Sequence, residues 1–359
     1  MFKRYNRKVG LWSIYCVLLL LGSNRQALAI SPLYRPLPAL TAKDLAVIVN
    51  DDDPLSVQIA RYYQQKRKIP PAQIIHIRFK KVGTDAMSQS QFATLKQQVD
   101  RQTPKQVQAY ALTWIQPFKV DCMSMTTAFA LGFNQAFCAA GCLQTHNSPY
   151  FASNSSQPFQ EDHIRPTMVV AGQNFAQAKQ LIDRGVAADY THPQGSGYLL
   201  KTSDVARSSR AELFPKIAEN FKGVWPIHYL EQDTLENKTD VMFYFTGLVS
   251  VPNISSNTYL PGAVADHLTS TGGVLSGSGQ MNSLDWLKAG ATGTYGAVVE
   301  PCNFPAKFPN PEVLIHFYLR GSSLIEAYWK SVQQPGQGIF VGEPLAKPFA
   351  YPLATEIIK

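Results

Sequence analysis

Short apolar runs alternate along this chain with stretches whose apolar residues recur every three or four positions. Residues 45–50 (LAVIVN) form an apolar run of the length expected for a buried strand. Asp53-Pro54 then opens a helix carrying Leu55, Ile59, Tyr62 and Tyr63 on one face, with aspartate as the cap and proline in the first turn. The alternation repeats. Residues 74–79 predict a strand, Phe92, Leu95 and Val99 mark a helix, and residues 107–114 (VQAYALTW) predict another strand. Residues 167–171 (TMVVA) precede a helix with Phe175, Ala178 and Ile182 that stops at Gly185, and residues 240–246, 273–275 and 295–299 supply the remaining central strands. Strands separated by helices need crossover connections. The pattern therefore predicts an α/β fold of three layers, a largely parallel sheet with helices on both faces.

Three segments break the pattern. Residues 1–29 contain no acidic residue, and Lys3, Arg4, Arg7, Lys8 and Arg25 flank an apolar run, 11–21, that is followed by Ala27-Leu28-Ala29. This reads as a signal peptide cut after Ala29, its apolar run being shorter than the ~20 residues a bilayer requires. Cys16 lies inside the run, without the Gly/Ala-Cys junction of a lipoprotein. A proline-rich lead-in covers 30–44, and a single α/β domain is expected over 45–350. Within it, residues at about 134–165 form an insertion rich in Cys, Ser, Asn and Gln; a loop that long is usually functional or ordered by cross-links.

Composition narrows the function classes. The chain has 359 residues, 45% hydrophobic and 16% charged, which excludes disordered and collagen-like chains. A formal charge of +8 would suggest a polyanionic partner, but five of the basic residues lie in the targeting segment and the rest of the chain is almost neutral. No basic stripe interleaved with aromatics appears, so nucleic-acid binding is not expected. No later stretch predicts a membrane span, which places the mature chain in the periplasm or outside the cell, in an oxidising compartment.

Four cysteines remain there: Cys122, Cys138, Cys142 and Cys302. Cys138, Cys142 and His146 stand at ligand-like intervals and, with Cys122, offer a tetrahedral zinc site. Export favours two disulfides instead. Three pairings are possible, and a Cys122–Cys302 bond suits two residues that each follow a strand.

In a parallel sheet, catalytic and binding groups collect beyond the carboxyl ends of the strands. That rim should hold Asn50 and Asp51 to Asp53, then Trp114 to Cys122, Gly247 to Ser250, Ser276 to Gln280 and Glu300 to Asn303. Asp51 and Asp52 are candidate cation ligands, although helix capping accounts for Asp53 and part of Asp52. Cys302, after Glu300-Pro301, stands where a nucleophile would, with disulfide bonding as the competing role. Asp266-His267 is read within a helix over 260–271, in a surface or capping role, and His76 as a residue on a sheet face. His163, His192 and His228 have no partner motif. The glycines at 290, 293 and 296, and those at 277 and 279, lack the context of a nucleotide loop, so no cofactor is implied. Ser323 and Glu326 make a capping box.

Several phrases together resemble a family of secreted bacterial proteins found in genomes that carry the exosortase protein-sorting system. They cover residues 47–70, 121–133, 260–273, 286–311, 321–332 and 340–349, the longest being WLKAGATGTYGAVVEPCNFPAKFPNP. That resemblance implies a location and a genomic context, not a reaction. A more distant likeness is to caspase-like proteases of the gingipain and CHAT type, in which one strand ends in His-Gly and the next in Ser-Ala-Cys. The counterparts here lie at 243–249, 275–278, 286–300, 317–328 and Gly342-Glu343-Pro344. Leu248 occupies the place of the histidine, and Ser278, or Gly277 one position earlier, that of the cysteine. Leucine cannot activate a nucleophile. The resemblance thus implies a non-catalytic binding protein of the cell envelope, with an envelope protein or polymer as its partner. The alternative is a secreted hydrolase or peptidase with a site on the rim around Asp51, Trp114, Ser278, Glu300 and Cys302.

Overall fold

The computed structural model describes residues 36–80, 85–139 and 141–352. The predicted signal peptide and the first six residues of the lead-in, 30–35, lie outside the described residues. The first half of the fold comprises β1 (Leu45–Asn50), α1 (Pro54–Arg67), β2 (Ile74–Ile77), β3 (Ala86–Met87), α2 (Gln89–Gln102), β4 (Ala109–Leu112), β5 (Lys119–Val120), β6 (Met123–Ser124), α3 (Met125–Leu131), α4 (Pro158–Glu161), β7 (Thr167–Val169) and α5 (Phe175–Ala188). The second half comprises β8 (Ser196–Lys201), α6 (Phe214–Asn220), β9 (Ile227–Glu231), β10 (Val241–Thr246), β11 (Tyr259–His267), α7 (Ser283–Ala289), β12 (Gly293–Ala297), α8 (Pro311–Leu319), α9 (Leu324–Ser331) and β13 (Gly338–Gly342).

Ten strands form one sheet in the order β2-β1-β4-β7-β13-β12-β11-β10-β8-β9, and β3, β5 and β6 make a small second sheet. Strands β2, β1, β4 and β7 are mutually parallel, as are β12, β11, β10, β8 and β9. Between the two sets lies β13, which runs antiparallel to β12. Every residue of β1, β4, β7, β10, β12 and β13 is buried, as expected of strands covered on both faces. The expected cap of α1 is present, Asp53 Oδ1 accepting from the Leu55 N–H, and Ser88 with Gln91 forms a capping box on α2; α5, expected to stop at Gly185, runs on to Ala188.

Two segments differ from the expectation. Residues 260–271 are not helical; β11 occupies most of them, with Asp266 and His267 buried. The pairing of β10 with β11 jumps from Val241↔Tyr259 to Phe243↔Val264, so Leu260, Pro261 and Gly262 bulge out. The bulge interrupts the period-two alternation and leaves apolar residues at helix-like intervals. Gly262 has φ +90°, a left-handed conformation that suits glycine. The second difference is at 273–275, expected as a strand and found as a turn. Strands β8, β9 and β13 carry no strong pattern in the sequence and were not anticipated.

The insertion at 134–165 contains one 3₁₀ turn, Gln135–Phe137, and the short α4. It is sewn down by two disulfides, Cys122–Cys138 and Cys142–Cys302. The disulfide reading therefore holds and zinc does not, but the pairing is not Cys122–Cys302. Cys122 finds its partner only 16 residues away, whereas Cys142 reaches across 160 residues to the loop after β12. Buried lysines complete the attachment: Lys307 Nζ donates to the Leu143 carbonyl at 2.7 Å and Lys330 Nζ to the Ser155 carbonyl at 2.9 Å.

Candidate functional site at the carboxyl-end rim

Loops beyond β4 and β11 meet at Asp85. Ser276, beyond β11, donates through Oγ to Asp85 Oδ1 at 2.9 Å; Gln116, beyond β4, donates to the same oxygen at 2.9 Å. At the end of β1, Asn50 is 1% exposed and ties the strand ends together, its amide donating to the Phe79 carbonyl and its Oδ1 accepting from the Phe79 N–H. The neighbouring acids are engaged by His76 of β2 and by Arg78 beyond it. Asp51 lies 2.7 Å from His76 Nδ1 and 3.5 Å from Arg78, and Asp52 lies 3.2 Å from Arg78. Among the described residues no group of three or more His, Cys, Asp or Glu is arranged to hold a metal ion. Asp51 and Asp52 thus both face Arg78 of the chain itself.

In the second half, the end of β10 is wedged against residues 202–208. A Cβ on Gly247 would fall 1.9 Å from the Arg207 carbonyl oxygen, so only glycine fits this approach. The Gly247 carbonyl accepts from Thr202 Oγ1 at 2.6 Å. Arg207 spans from Asp204 (2.8 Å) to Thr269 Oγ1 (3.1 Å); Thr269 in turn donates to Gln280 Oε1, which also accepts from the Thr271 N–H. Ser278 sits on the exposed turn of this network, its Oγ 2.6 Å from Thr271 Oγ1. No imidazole or carboxylate touches it among the bonds of the described residues.

The strand next to β10 is β11, not residues 273–275, and their pairing runs to Thr246↔His267, with Leu248 and Thr269 each two residues beyond it. Residues 273–275 form a turn, so Ser278 lies beyond that turn and not at a strand end, and Thr269 is the second residue after β11.

Successive residues of β11 face opposite layers. His267, 1% exposed, faces α7: Trp286 Nε1 donates to His267 Nδ1 at 2.9 Å, which leaves Nε2 protonated and 3.2 Å from the Met281 carbonyl. Burial drives its pKa from the ordinary 6.5 down to about 4, so the ring stays neutral. With both nitrogens occupied, it cannot serve as a base for Ser278. Asp266 faces the other layer and accepts from Arg210 Nη2 at 2.6 Å, both side chains being 2% exposed or less. Burial raises the Asp266 pKa, against the lowering influence of Arg210. Arg210 also donates to the Thr246 and Pro309 carbonyls.

Beyond β12, Glu300 Oε1 accepts from the Cys302 N–H at 2.8 Å, and the Glu300 carbonyl accepts from Gln337. Cys302 is oxidised in its bond to Cys142. Glu300 thereby orders a disulfide loop. Among the described residues His76 pairs with a carboxylate at the rim, while His228 stacks on Tyr198 and His146 packs edge-on to Phe137.

A largely parallel ten-stranded sheet with β13, antiparallel to β12, before a Gly-x-Pro turn is an α/β fold of the caspase-like kind. The chain is similar to Porphyromonas gingivalis RgpB, solved as a complex of pro- and mature domains. The superposition covers 86% of this chain and 81% of that one with a TM-score of 0.51, at 6% sequence identity. At that identity the likeness speaks for the fold alone. No family model and no curated protein matches the sequence. No helix among the described residues is long and apolar enough to cross a membrane.

Proposed function

We propose that this protein is an exported, non-catalytic caspase-like scaffold that binds an envelope protein or polymer through its carboxyl-end rim, in an exosortase-type sorting or exopolysaccharide context. One observation carries the reading: where a nucleophile and its base would meet, the ends of β10 and β11 present Leu248 and Thr269, and the nearby His267 has both ring nitrogens occupied. The rest of the rim supports it. Its side chains form a hydrogen-bonded network from Asp204 through the buried Thr269 to the exposed Ser278, and all four cysteines of the described residues are spent in disulfides, which accord with an oxidising compartment.

The competing reading, a hydrolase using Ser278, Glu300 or Cys302, is tested on the same preparation. The full chain is treated with a fluorophosphonate and, without reductant, with iodoacetamide, and adducts are located by mass spectrometry. The scaffold reading expects no adduct on the rim. A fluorophosphonate adduct on Ser278 that disappears in Ser278→Ala would overturn it, because an unactivated serine hydroxyl does not react.

A further inference from the structure

The ten-stranded sheet ends in β2 on one side and β9 on the other, and the chain treats these two edges differently. Along β2, groups that point away from β1 are taken up within the chain: the Ile74 N–H donates to the Pro71 carbonyl, and the His76 carbonyl accepts from Gln98 Nε2 of α2 at 3.2 Å. The edge of β9 is bare. The Gly197 N–H donates to the Pro226 carbonyl and the Gln232 N–H to the Lys201 carbonyl, so the even-numbered residues turn their backbone groups to β8. Ile227, Tyr229 and Glu231 turn theirs outward, and among the described residues no bond to those N–H and C=O groups is found. The register with β8 runs without a shift from Gly197↔Ile227 to Lys201↔Glu231, and the strand, IHYLE, contains neither proline nor lysine. Bulges, prolines and lysines are what guard an exposed edge against another strand.

On the face that carries the Ile227 and Tyr229 side chains, an open groove of about 750 Å³ lies between the strand and Pro215 and Ala218 of α6. Opposite charges stand at its two ends. Lys222, 77% exposed and 3.9 Å from Glu219, lines the groove just ahead of β9. Glu231, 62% exposed, closes the strand, 3.5 Å from Lys201 and held by the Tyr229 hydroxyl at 2.5 Å.

We propose that β9 pairs with itself: a second copy of this chain adds its β9 antiparallel, about a two-fold axis through Tyr229, and joins the two sheets into one. In that register Ile227 faces Glu231 of the second copy and Tyr229 faces its own counterpart, so every outward N–H and C=O of both strands gains a partner. The antiparallel direction carries Lys222 of each copy toward Glu231 of the other, and the opposite charges meet twice. Sliding the copies so that Glu231 faced Trp225 would lose this, because the Trp225 N–H is already spent on the Phe221 carbonyl. The contact runs along the side of the sheet and not on the rim, so either reading can fail alone.

Sedimentation velocity on the full chain should find a dimer that dissociates on dilution. Tyr229→Pro removes an outward N–H that the fold does not use, so it should leave a folded monomer. Lys222→Glu should raise the dissociation constant about tenfold by setting like charges together, and adding Glu231→Lys should bring it back, a rescue that damage to the fold would not produce. On oxidation Tyr229→Cys should cross-link to its counterpart, whereas His228→Cys, set against Leu230 of the second copy, should not. A chain that stays monomeric at every concentration would overturn the proposal and leave the edge to an extended segment of another protein. A dimer indifferent to both Tyr229→Pro and Lys222→Glu, or one that the charge swap fails to restore, would overturn it as well.

Discussion

The two halves of the sheet treat their charged groups in opposite ways. At the carboxyl ends of the first half, Asp51, Asp52, His76 and Arg78 pair at the surface, with side chains between 22% and 69% exposed. In the second half, Arg210 and Asp266 pair inside the fold at 2% and 1%, and His267 is sealed beside Trp286. The first arrangement lets water do most of the work of stabilising charge, so its pairs are worth little and can change freely. The second removes water, so each partner depends on the other. A rim built of surface pairs can adapt to a ligand, whereas the buried pair fixes the register of β10 against β11 and the entry into α8.

The strongest way to break this contrast is to cut the link between the insertion and the second half. Cys142→Ser with Cys302→Ser opens a 160-residue connection, and the chain-entropy relation puts the loss at about 5 kcal/mol, read from urea unfolding. A loss no greater than that from removing the 16-residue Cys122–Cys138 loop would show the insertion to be held by its hydrogen bonds alone. Next, Asp266→Ala should cost about 3–5 kcal/mol, since it strands Arg210 in the interior. Asp266→Ala combined with Arg210→Met should recover part of that loss.

His267 gives a pH-dependent test of the same half. Its pKa in the fold, about 4, lies below the ordinary 6.5, so its contribution is fully present above pH 6.5 and is lost as pH falls toward 4. The expected loss is about 3 kcal/mol across that window, from the size of the shift. His267→Gln should flatten the stability profile between pH 6.5 and 4; an unchanged slope would mean that the ring is reached by water. At the small end, Asp51→Ala should cost only about 0.2–1 kcal/mol, less still in high salt. A loss comparable to that of Asp266→Ala would erase the distinction between the halves.

Much of the first half was legible in the sequence because its signals are local. Residues 45–50 are a continuous apolar run, Asp53-Pro54 a cap, and Phe92, Leu95 and Val99 one helical face; each became the predicted element. The second half hid its structure in long-range pairings. The bulge at Leu260 to Gly262 made β11 look helical, and β13, short and rich in glycine, becomes a strand only by filling the place between β7 and β12. The turn cluster at 269–273 and the poor helix formers Pro261 and Gly262 were the available warning. On the rim, the strand expected at 240–246 became β10 with Leu248 just beyond it, whereas the strand expected at 273–275 is a turn, which leaves Ser278 off any strand end.

By itself the sequence determined the layered α/β class, the helix starts and the disulfide chemistry, because strand runs, caps and cysteine context are properties of neighbouring residues and of compartment. Tertiary structure alone decided which cysteines pair, which histidine nitrogens are free and where Arg210 lies. Those outcomes depend on which surfaces are desolvated together, and residues far apart in the chain, such as Arg210, Asp266 and Pro309, become partners only when the sheet and α8 close over them.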